Sequence, residues 1–299
     1  SKAFSRIIKS GRTHLQDAVP ITLGQEFGSY AASIRSSIEK IEGGRDRLKR
    51  IGLGGTAVGT GLNTHPLYRG KALKALSEAS GIKGLKKAPD NFEALNSMGD
   101  FTAFSSALRD AAVELIRIAN DIRLLSSGPR TGLSEISLPA VQPGSSIMPG
   151  KVNPVMAEML DMAGFQVIGN DLTVTMASQA GQLELNVMLP VINYNILQSM
   201  EILASAINAF TKRCVAGIKA DEKRCRGYFE KSVGLATILN RLIGYEKAAQ
   251  AAKESASTGK TVKEVALGKG ILSKKEWDRL MAPQIVTGPA VIGRKKGSR

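Results

Sequence analysis

The sequence contains few of the residues on which several classes of protein depend. Cysteine and histidine occur only twice each in 299 residues, and the cysteines are Cys214 and Cys225. These counts argue against a disulfide framework and against a zinc site, and we expect no bound metal. No apolar run is long enough to span a bilayer, so no membrane association is expected. So few cysteines are typical of a reducing compartment, and we predict a cytoplasmic protein.

Aromatic residues are also scarce, at 5%, whereas the net charge of +15 is high. A basic chain can bind nucleic acid or attract an anionic substrate. Here the basic residues are spread along the chain, and the local clusters at 45–50 and 294–296 contain no aromatic residues on which bases could stack. We therefore interpret the charge as a generally basic surface and expect no nucleic-acid partner.

Helical periodicity, in contrast, is abundant. Apolar residues recur at intervals of three, four and seven through residues 27–48, 101–125 and 192–210. This spacing predicts long amphipathic helices whose apolar stripes form the core of a bundle. Alternation typical of strands is scarce. We predict an all-α fold with a long central helix bundle.

The predicted helices become shorter near residue 212, which indicates a change of domain. We place a boundary near residue 217, between a helix-bundle domain (1–217) and a small helical C-terminal domain (218–299) with an irregular tail. Ser273 followed three residues later by Glu276 has the pattern of a capping box, which predicts the start of a helix in the second domain.

Three segments interrupt the helices, at 11–25, 52–66 and 128–154. The third has five prolines and four glycines and lies between two strongly predicted helices. Long irregular segments inside compact domains are often functional, so these segments are the places to look for chemistry.

The third segment carries residues suited to catalysis. Ser145 lies in a glycine-flanked loop, where it can act as a base if its pKa is lowered, and Lys151 follows six residues later. Lys151 and Asn153 can hold a carboxylate, and the amides of such a loop can stabilise developing negative charge. The alternative is a polar turn before the helix that follows Pro154.

The first segment contains one of the two histidines. His14 follows Thr13, ahead of a long predicted helix, and has either a structural or a functional role. Glu158, in the first turn after Pro154, can orient or charge a histidine; alternatively it complements the helix dipole. The other histidine, His65, lies in a loop and is interpreted as structural or solvent-facing.

These segments resemble those of a known family. Gly-Ser-Ser-Ile-Met-Pro-Gly-Lys-Val-Asn-Pro at 144–154 is similar to the signature of the aspartase/fumarase superfamily. Gly-Arg-Thr-His-Leu-Gln-Asp-Ala at 11–18 and Gly-Gly-Thr-Ala-Val-Gly-Thr-Gly-Leu-Asn at 54–63 resemble two further shared regions, in the family's order. The resemblance runs from about residue 8 to about residue 280.

The resemblance implies an all-helical, homotetrameric lyase without a cofactor, in which three subunits build each active site. Members remove a group β to a carboxylate of a small dicarboxylate by anti elimination, giving fumarate or a fumaryl product. They also have a preceding domain with substrate loops, which this sequence does not include. We therefore expect that the true N-terminus is missing and that residues 1–299 alone are inactive.

The resemblance also implies roles for the residues of the third segment. Ser145 would take the C3 proton, as an oxyanion on a mobile loop. Ser146, Lys151 and Asn153 would bind the substrate, the last two at the adjacent carboxylate. A proton next to a carboxylate is very weakly acidic, so the aci-carboxylate intermediate needs the positive charge and donors that Lys151 and Asn153 supply.

The first segment would contact the other end of the substrate through Thr13 and His14. In fumarases the match to His14, paired with the match to Glu158, handles the water. In aspartases the same histidine mainly holds a carboxylate.

The sequence around the third segment favours one branch of the family. Lys-Val-Asn-Pro-Val-Met-Ala-Glu at 151–158 resembles aspartases, and Asp171 stands where fumarases tend to have histidine, although Gly55 and residues 88–95 are more typical of fumarases. We predict the reversible elimination of ammonia from L-aspartate. The alternatives are a class II fumarate hydratase and a non-catalytic helix-bundle relative.

Overall fold

The computed structural model describes residues 1–144 and 147–289, and helices dominate them. The predicted all-α fold is confirmed. Its four longest helices have 25 to 27 residues. The helices are α1 (Leu23–Arg47), α2 (Tyr68–Ser80), α3 (Asn91–Asn96), α4 (Gly99–Leu125), α5 (Val155–Gln179), α6 (Leu189–Arg213), α7 (Glu222–Lys231), α8 (Ala236–Ile243), α9 (Tyr245–Thr258), α10 (Val262–Gly268), α11 (Lys274–Leu280) and α12 (Pro283–Val286).

Strands are few and short within the described ranges, and they pair in twos. They are β1 (Ile8–Thr13), β2 (Gln16–Thr22), β3 (Arg50–Ile51), β4 (Lys86–Lys87), β5 (Ile136–Ser137) and β6 (Lys219–Ala220). Pairs β1–β2 and β5–β6 are antiparallel, and β3–β4 is parallel. The first segment, which sequence patterning identified only as a break between helices, thus contributes most of a β-hairpin.

The chain divides into two compact units that do not follow its linear order. The first unit contains Ser1–Ala31, Leu124–Ser137 and the described part of Lys219–Arg299; the second contains Ala32–Arg123 and Leu138–Ile218. The boundary expected near residue 217 lies beside the last of these junctions. The division into two continuous domains stays a prediction.

The core of the first unit gathers the short C-terminal helices around Leu239 and Trp277, and Ile8 of β1 belongs to the same cluster. Two of these helices start with complete capping boxes, Thr261 with Glu264 and Ser273 with Glu276, and the second confirms the sequence prediction. Hydrogen bonds from the capping residues lower the pKa of both glutamates. Local sequence signals therefore define these helix starts.

The second unit is built on α4, α5 and α6, whose buried side chains are mainly aliphatic. Leu160, Val167 and Val174 mark the buried face of α5. Gly164 on that face allows a close approach to α4, because a Cβ there would lie 2.7 Å from Ile116 Cδ1. Among the described residues, no helix combines the length and the apolar character needed to cross a bilayer.

The apolar stripes are not buried along their whole length. Ile38 of α1 and Met200 and Ile207 of α6 are 49%, 43% and 37% exposed, so the prediction that every stripe residue lies in the core was wrong for them. Helical periodicity identifies an apolar face but does not identify what covers it.

Candidate functional site

The predicted site residues Thr13 and His14 lie at the tip of the β1–β2 hairpin. Strand β1 ends at Thr13 and β2 begins at Gln16, so the connection has two residues, His14 and Leu15. Both have positive φ, 55° and 58°, which is the signature of a type I′ turn. This turn favours Asn and Gly, and a bulkier residue there costs about 1–3 kcal/mol. The hairpin therefore holds the exposed His14 at a positive φ, a backbone conformation that a histidine by itself does not favour.

Close packing shapes the base of the same hairpin. The register shifts between Ser10 and Arg12, which marks a bulge at Gly11. A Cβ at Gly11 would lie 2.6 Å from the carbonyl oxygen of Val19, so only glycine fits there. The bulge bends β1 just before the residues that the sequence marks as functional.

A buried ionic network adjoins the hairpin. Arg12 donates two hydrogen bonds to the carboxylate of Glu135, Nη1 to Oε2 at 3.1 Å and Nη2 to Oε1 at 2.9 Å. Lys9 Nζ lies 2.7 Å from Glu135 Oε2 and 2.7 Å from Glu26 Oε2. Lys9 and Glu135 are 1% and 0% exposed, so these charges are compensated by one another and not by water. No local sequence pattern predicts this pairing, because Glu135 lies more than a hundred residues from Lys9 and Arg12.

The second group of predicted residues lies in the other unit, on the loop before α5. Lys151 is exposed and Asn153 is half-buried. The two ends of the loop approach each other, since a Cβ at Gly144 would lie 2.1 Å from the carbonyl oxygen of Lys151. Ser145 and Ser146 lie outside the described residues. The loop thus brings Lys151 close to the residue that precedes the predicted base.

Glu158 lies in the first turn of α5 and has a cationic neighbour. Arg123 Nη2 lies 3.7 Å from Glu158 Oε1, and Arg123 Nη1 lies 3.1 Å from Asp161 Oδ2. Asp161 is buried; burial raises its pKa above the ordinary value, and the Arg123 charge opposes that rise. Its other oxygen, Oδ1, has no hydrogen-bond partner among the described residues. The helical spacing of Glu158 and Asp161 was the only sequence signal for this cluster.

The predicted site residues are therefore divided between the two compact units. Thr13 and His14 belong to the first, and Lys151, Asn153 and Glu158 to the second. The pairing of His14 with Glu158 stays a prediction. Within the described ranges, no group of three or more acidic, histidine or cysteine side chains is arranged to hold a metal ion.

The other histidine has a local structural role. His65 Nδ1 accepts a hydrogen bond from the backbone N–H of Leu67 at 3.1 Å, in an exposed loop. The interpretation of His65 as structural or solvent-facing is therefore confirmed. The glycine-rich second segment around it has positive φ at Gly54, Gly59 and Gly61, so its backbone requires those glycines.

Two family models match the chain. The model described as lyase matches residues 1–169, and the model described as fumarase C C-terminus matches residues 235–288. Together they cover the hairpin, the loop before α5 and most of the C-terminal helices.

Individual proteins match nearly the whole chain. An aspartate ammonia-lyase from a Bacillus species is 49% identical over 292 residues, which are 98% of this chain and 62% of the relative. A class II fumarate hydratase from Neisseria meningitidis is 47% identical over 289 residues, which are 97% of this chain and 62% of the relative. This chain therefore spans about three fifths of the length of the curated relatives it matches.

A solved structure has the same fold. The crystal structure of a fumarate lyase:delta crystallin from Brucella melitensis bound to cobalt is 50% identical, with a TM-score of 0.92. The match covers 96% of this chain and 62% of that one.

Proposed function

We propose that this chain, which belongs to the lyase family, is part of an aspartate ammonia-lyase that converts L-aspartate to fumarate and ammonia. The observation that carries the proposal is the loop before α5, where the backbone of Lys151 lies against Gly144 and Asn153 follows two residues later. A cationic and an amide side chain at such a loop suit the stabilisation of a carboxylate that gains negative charge.

The proposed mechanism is proton abstraction followed by loss of ammonia. Ser145 takes the proton from C3, and the electron pair moves into the neighbouring carboxylate to give an aci-carboxylate. Lys151, Asn153 and Ser146 bind this end of the substrate. The intermediate then collapses to fumarate as the C2–N bond breaks and ammonia leaves. No cofactor is required, because every step is a proton transfer or an elimination.

The hairpin tip would bind the opposite end of the substrate through Thr13 and His14. In this reaction the histidine holds a carboxylate and transfers no proton to water. Arg123 Nη2 lies 3.7 Å from Glu158 Oε1, so this carboxylate has a cationic neighbour. In the fumarase alternative, His14 and Glu158 would instead form the pair that activates water.

Residue 171 supports the choice of branch. Asp171 is buried, accepts a hydrogen bond from Ser105 Oγ at 2.6 Å and pairs with Arg109 at 3.0 Å. A histidine at this position, as fumarases tend to have, would leave Arg109 without its buried partner. The two curated relatives described above differ by only two percentage points in identity, so the proposal depends on such positions and not on identity.

The active unit is proposed to be a homotetramer that binds a small dicarboxylate, with three subunits contributing to each site. Helix α5 supports it, because the helix is apolar on both its buried and its exposed sides, which is typical of a helix surrounded by protein. Its exposed apolar residues are Met162, Phe165, Leu172 and Met176. Helix α6 likewise exposes large hydrophobic side chains, at Tyr194, Leu197 and Met200. A cytoplasmic location is also proposed, and the two free, buried cysteines support it.

The test is made on the full-length product of the gene that encodes this chain. Fumarate absorbance is followed with L-aspartate and, separately, with L-malate. Fumarate and ammonia from aspartate are the expected result. Fumarate from malate alone would overturn the proposal in favour of a fumarase, and no product from either would favour a different substrate or a non-catalytic relative.

Two variants test whether the lyase activity depends on the loop before α5. Ser145→Ala and Lys151→Met are each expected to lower kcat by at least about 100-fold, the usual effect of removing a group that acts on the developing charge. Lys83→Met replaces an exposed loop lysine of the same unit and should leave kcat unchanged. An unchanged kcat in Lys151→Met would remove Lys151 from the mechanism.

A further inference from the structure

The hairpin tip is anchored to the rest of its unit at the second residue pair below the turn. Arg12 and Asp17 are register partners on β1 and β2. Arg12 binds Glu135, and Asp17 Oδ2 accepts a hydrogen bond from the backbone N–H of Val233 at 3.3 Å. At this pair, each strand therefore makes a polar contact with a different part of the first unit.

The contact through Arg12 constrains direction as well as distance. Two parallel N–H···O bonds between a guanidinium and a carboxylate fix the plane of both groups, which a single bond does not. The Tyr228 ring lies against the same guanidinium, with its centroid 5.4 Å from Arg12 Cζ. Glu135 is itself held by Lys9 and is fully buried. Arg12 therefore has little freedom to move, and only Thr13 separates it from the two-residue turn.

The side chain of His14, in contrast, has no anchor of its own. Within the part of the chain that the structure describes, its imidazole forms no hydrogen bond or ion pair, and it is exposed. Its position is therefore set by the backbone beneath it.

We propose that Glu135 is a positioning residue that, through Arg12, sets the direction of the hairpin tip and so places Thr13 and His14 against the substrate. The proposal rests on the function proposed above, in which those two residues bind a carboxylate. A displacement of a binding group by about 1 Å can lower the rate about 100-fold, so a residue that never touches the substrate can control catalysis.

The main test is Arg12→Lys in the full-length protein. Lysine keeps a positive charge beside Glu135 but cannot form the two parallel bonds. The matched control is Arg224→Lys: Arg224 lies over the same Tyr228 ring at 5.8 Å, but it donates to the carbonyl oxygen of Pro129 and not to the hairpin network. We expect Arg12→Lys to lower kcat/KM about 10- to 100-fold, and Arg224→Lys to leave it unchanged.

A double-mutant cycle separates positioning from a general loss of structure. In a His14→Asn background, Arg12→Lys should have a much smaller further effect, because a group to be positioned is already gone. The same loss in both backgrounds would overturn the proposal, since it would show that Arg12 acts independently of His14.

Amide hydrogen exchange gives a measurement that does not depend on activity. The peptide covering residues 10–18 should exchange faster in Arg12→Lys than in the parent protein, and Arg224→Lys should match the parent. Unchanged exchange at the hairpin would overturn the positioning role whatever the substrate. Faster exchange in a protein inactive on aspartate would support the positioning role and overturn only the proposed reaction.

Discussion

The hairpin β1–β2 and the helices α4–α6 hold their predicted site residues by different physical means. The hairpin is tied to the rest of its unit by a network of two cations and two carboxylates, Lys9, Arg12, Glu26 and Glu135. Removing one member of a buried network leaves the charges of the others uncompensated, so a single substitution causes a large loss of stability.

The helices of the second unit are held by close packing. Gly44 of α1 faces Phe104 of α4, and Gly164 of α5 faces Ile116, in each case at a distance that leaves little room for a larger residue. The stability lost by altering such packing increases gradually with the change in side-chain volume. The comparison teaches that the hairpin tip depends on a few ionic partners, whereas α5 combines its ion pairs with Arg109 and Arg123 with close packing at Gly164.

The largest expected effect comes from the ionic network. Glu135→Ala would leave Lys9 and Arg12 with only Glu26 to compensate two positive charges, and we expect a loss of about 3–5 kcal/mol in the free energy of unfolding. Urea denaturation measures it. The control, Glu230→Ala, removes an exposed pair with Arg226 at 3.8 Å and should cost no more than about 0.5 kcal/mol. Similar losses in both variants would show that the network is not the distinctive feature of the hairpin.

Adjacent glycines of α1 test the close packing. A Cβ at Gly44 would lie 3.0 Å from Phe104 Cα, whereas a Cβ at Gly43 would meet nothing within 4 Å. Gly43→Ala should stabilise the helix by about 0.5–1 kcal/mol, because alanine loses less backbone entropy. Gly44→Ala should be about 1–3 kcal/mol less stable than Gly43→Ala, because of the contact with the neighbouring helix. Thermal unfolding that ranks them equally would contradict this account of the packing.

A smaller effect is expected at the capping boxes of the first unit. The pKa values of Glu264 and Glu276 are lower when folded than the ordinary value of 4.5, so their contribution to stability is present above pH 4.5 and is lost as the pH falls through the folded values. Replacing both by Gln should reduce stability at pH 7 and have no effect at low pH. Glu246→Gln, in the first turn of α9 without a capping box, is the control. A pH-independent difference would show that charge plays no part in the caps.

The smallest expected effect is at the cysteines, one in each compact unit. Burial raises the pKa of Cys225 to about 12 and that of Cys214 to about 11, so neither thiolate forms at neutral pH. A thiol reagent should label neither residue in the folded protein and both after denaturation. Rapid labelling of Cys225 alone would indicate that the region around Glu135 opens more readily than the helices.

Several features of this protein could be predicted from its sequence. The 3.6-residue periodicity of α4 and α6 identifies long helices because one face of a helix must be apolar to be buried. The capping box at Ser273 could be predicted because both of its residues lie within one helical turn. The family signature at 144–154 identified the loop that carries Lys151 and Asn153. In each case the information lies within a few dozen consecutive residues.

The tertiary structure decided what depends on distant partners. Arg12 is separated by 123 positions from Glu135, and no sequence pattern in either segment predicts this ion pair. The same holds for Arg123 and Asp161. The positive φ of His14 depends on a nearer partner, because β1 and β2 pair in a register that leaves two residues for the turn. Local chemistry thus predicted the residues of the candidate site, and tertiary contacts determined how the segments that carry them are held.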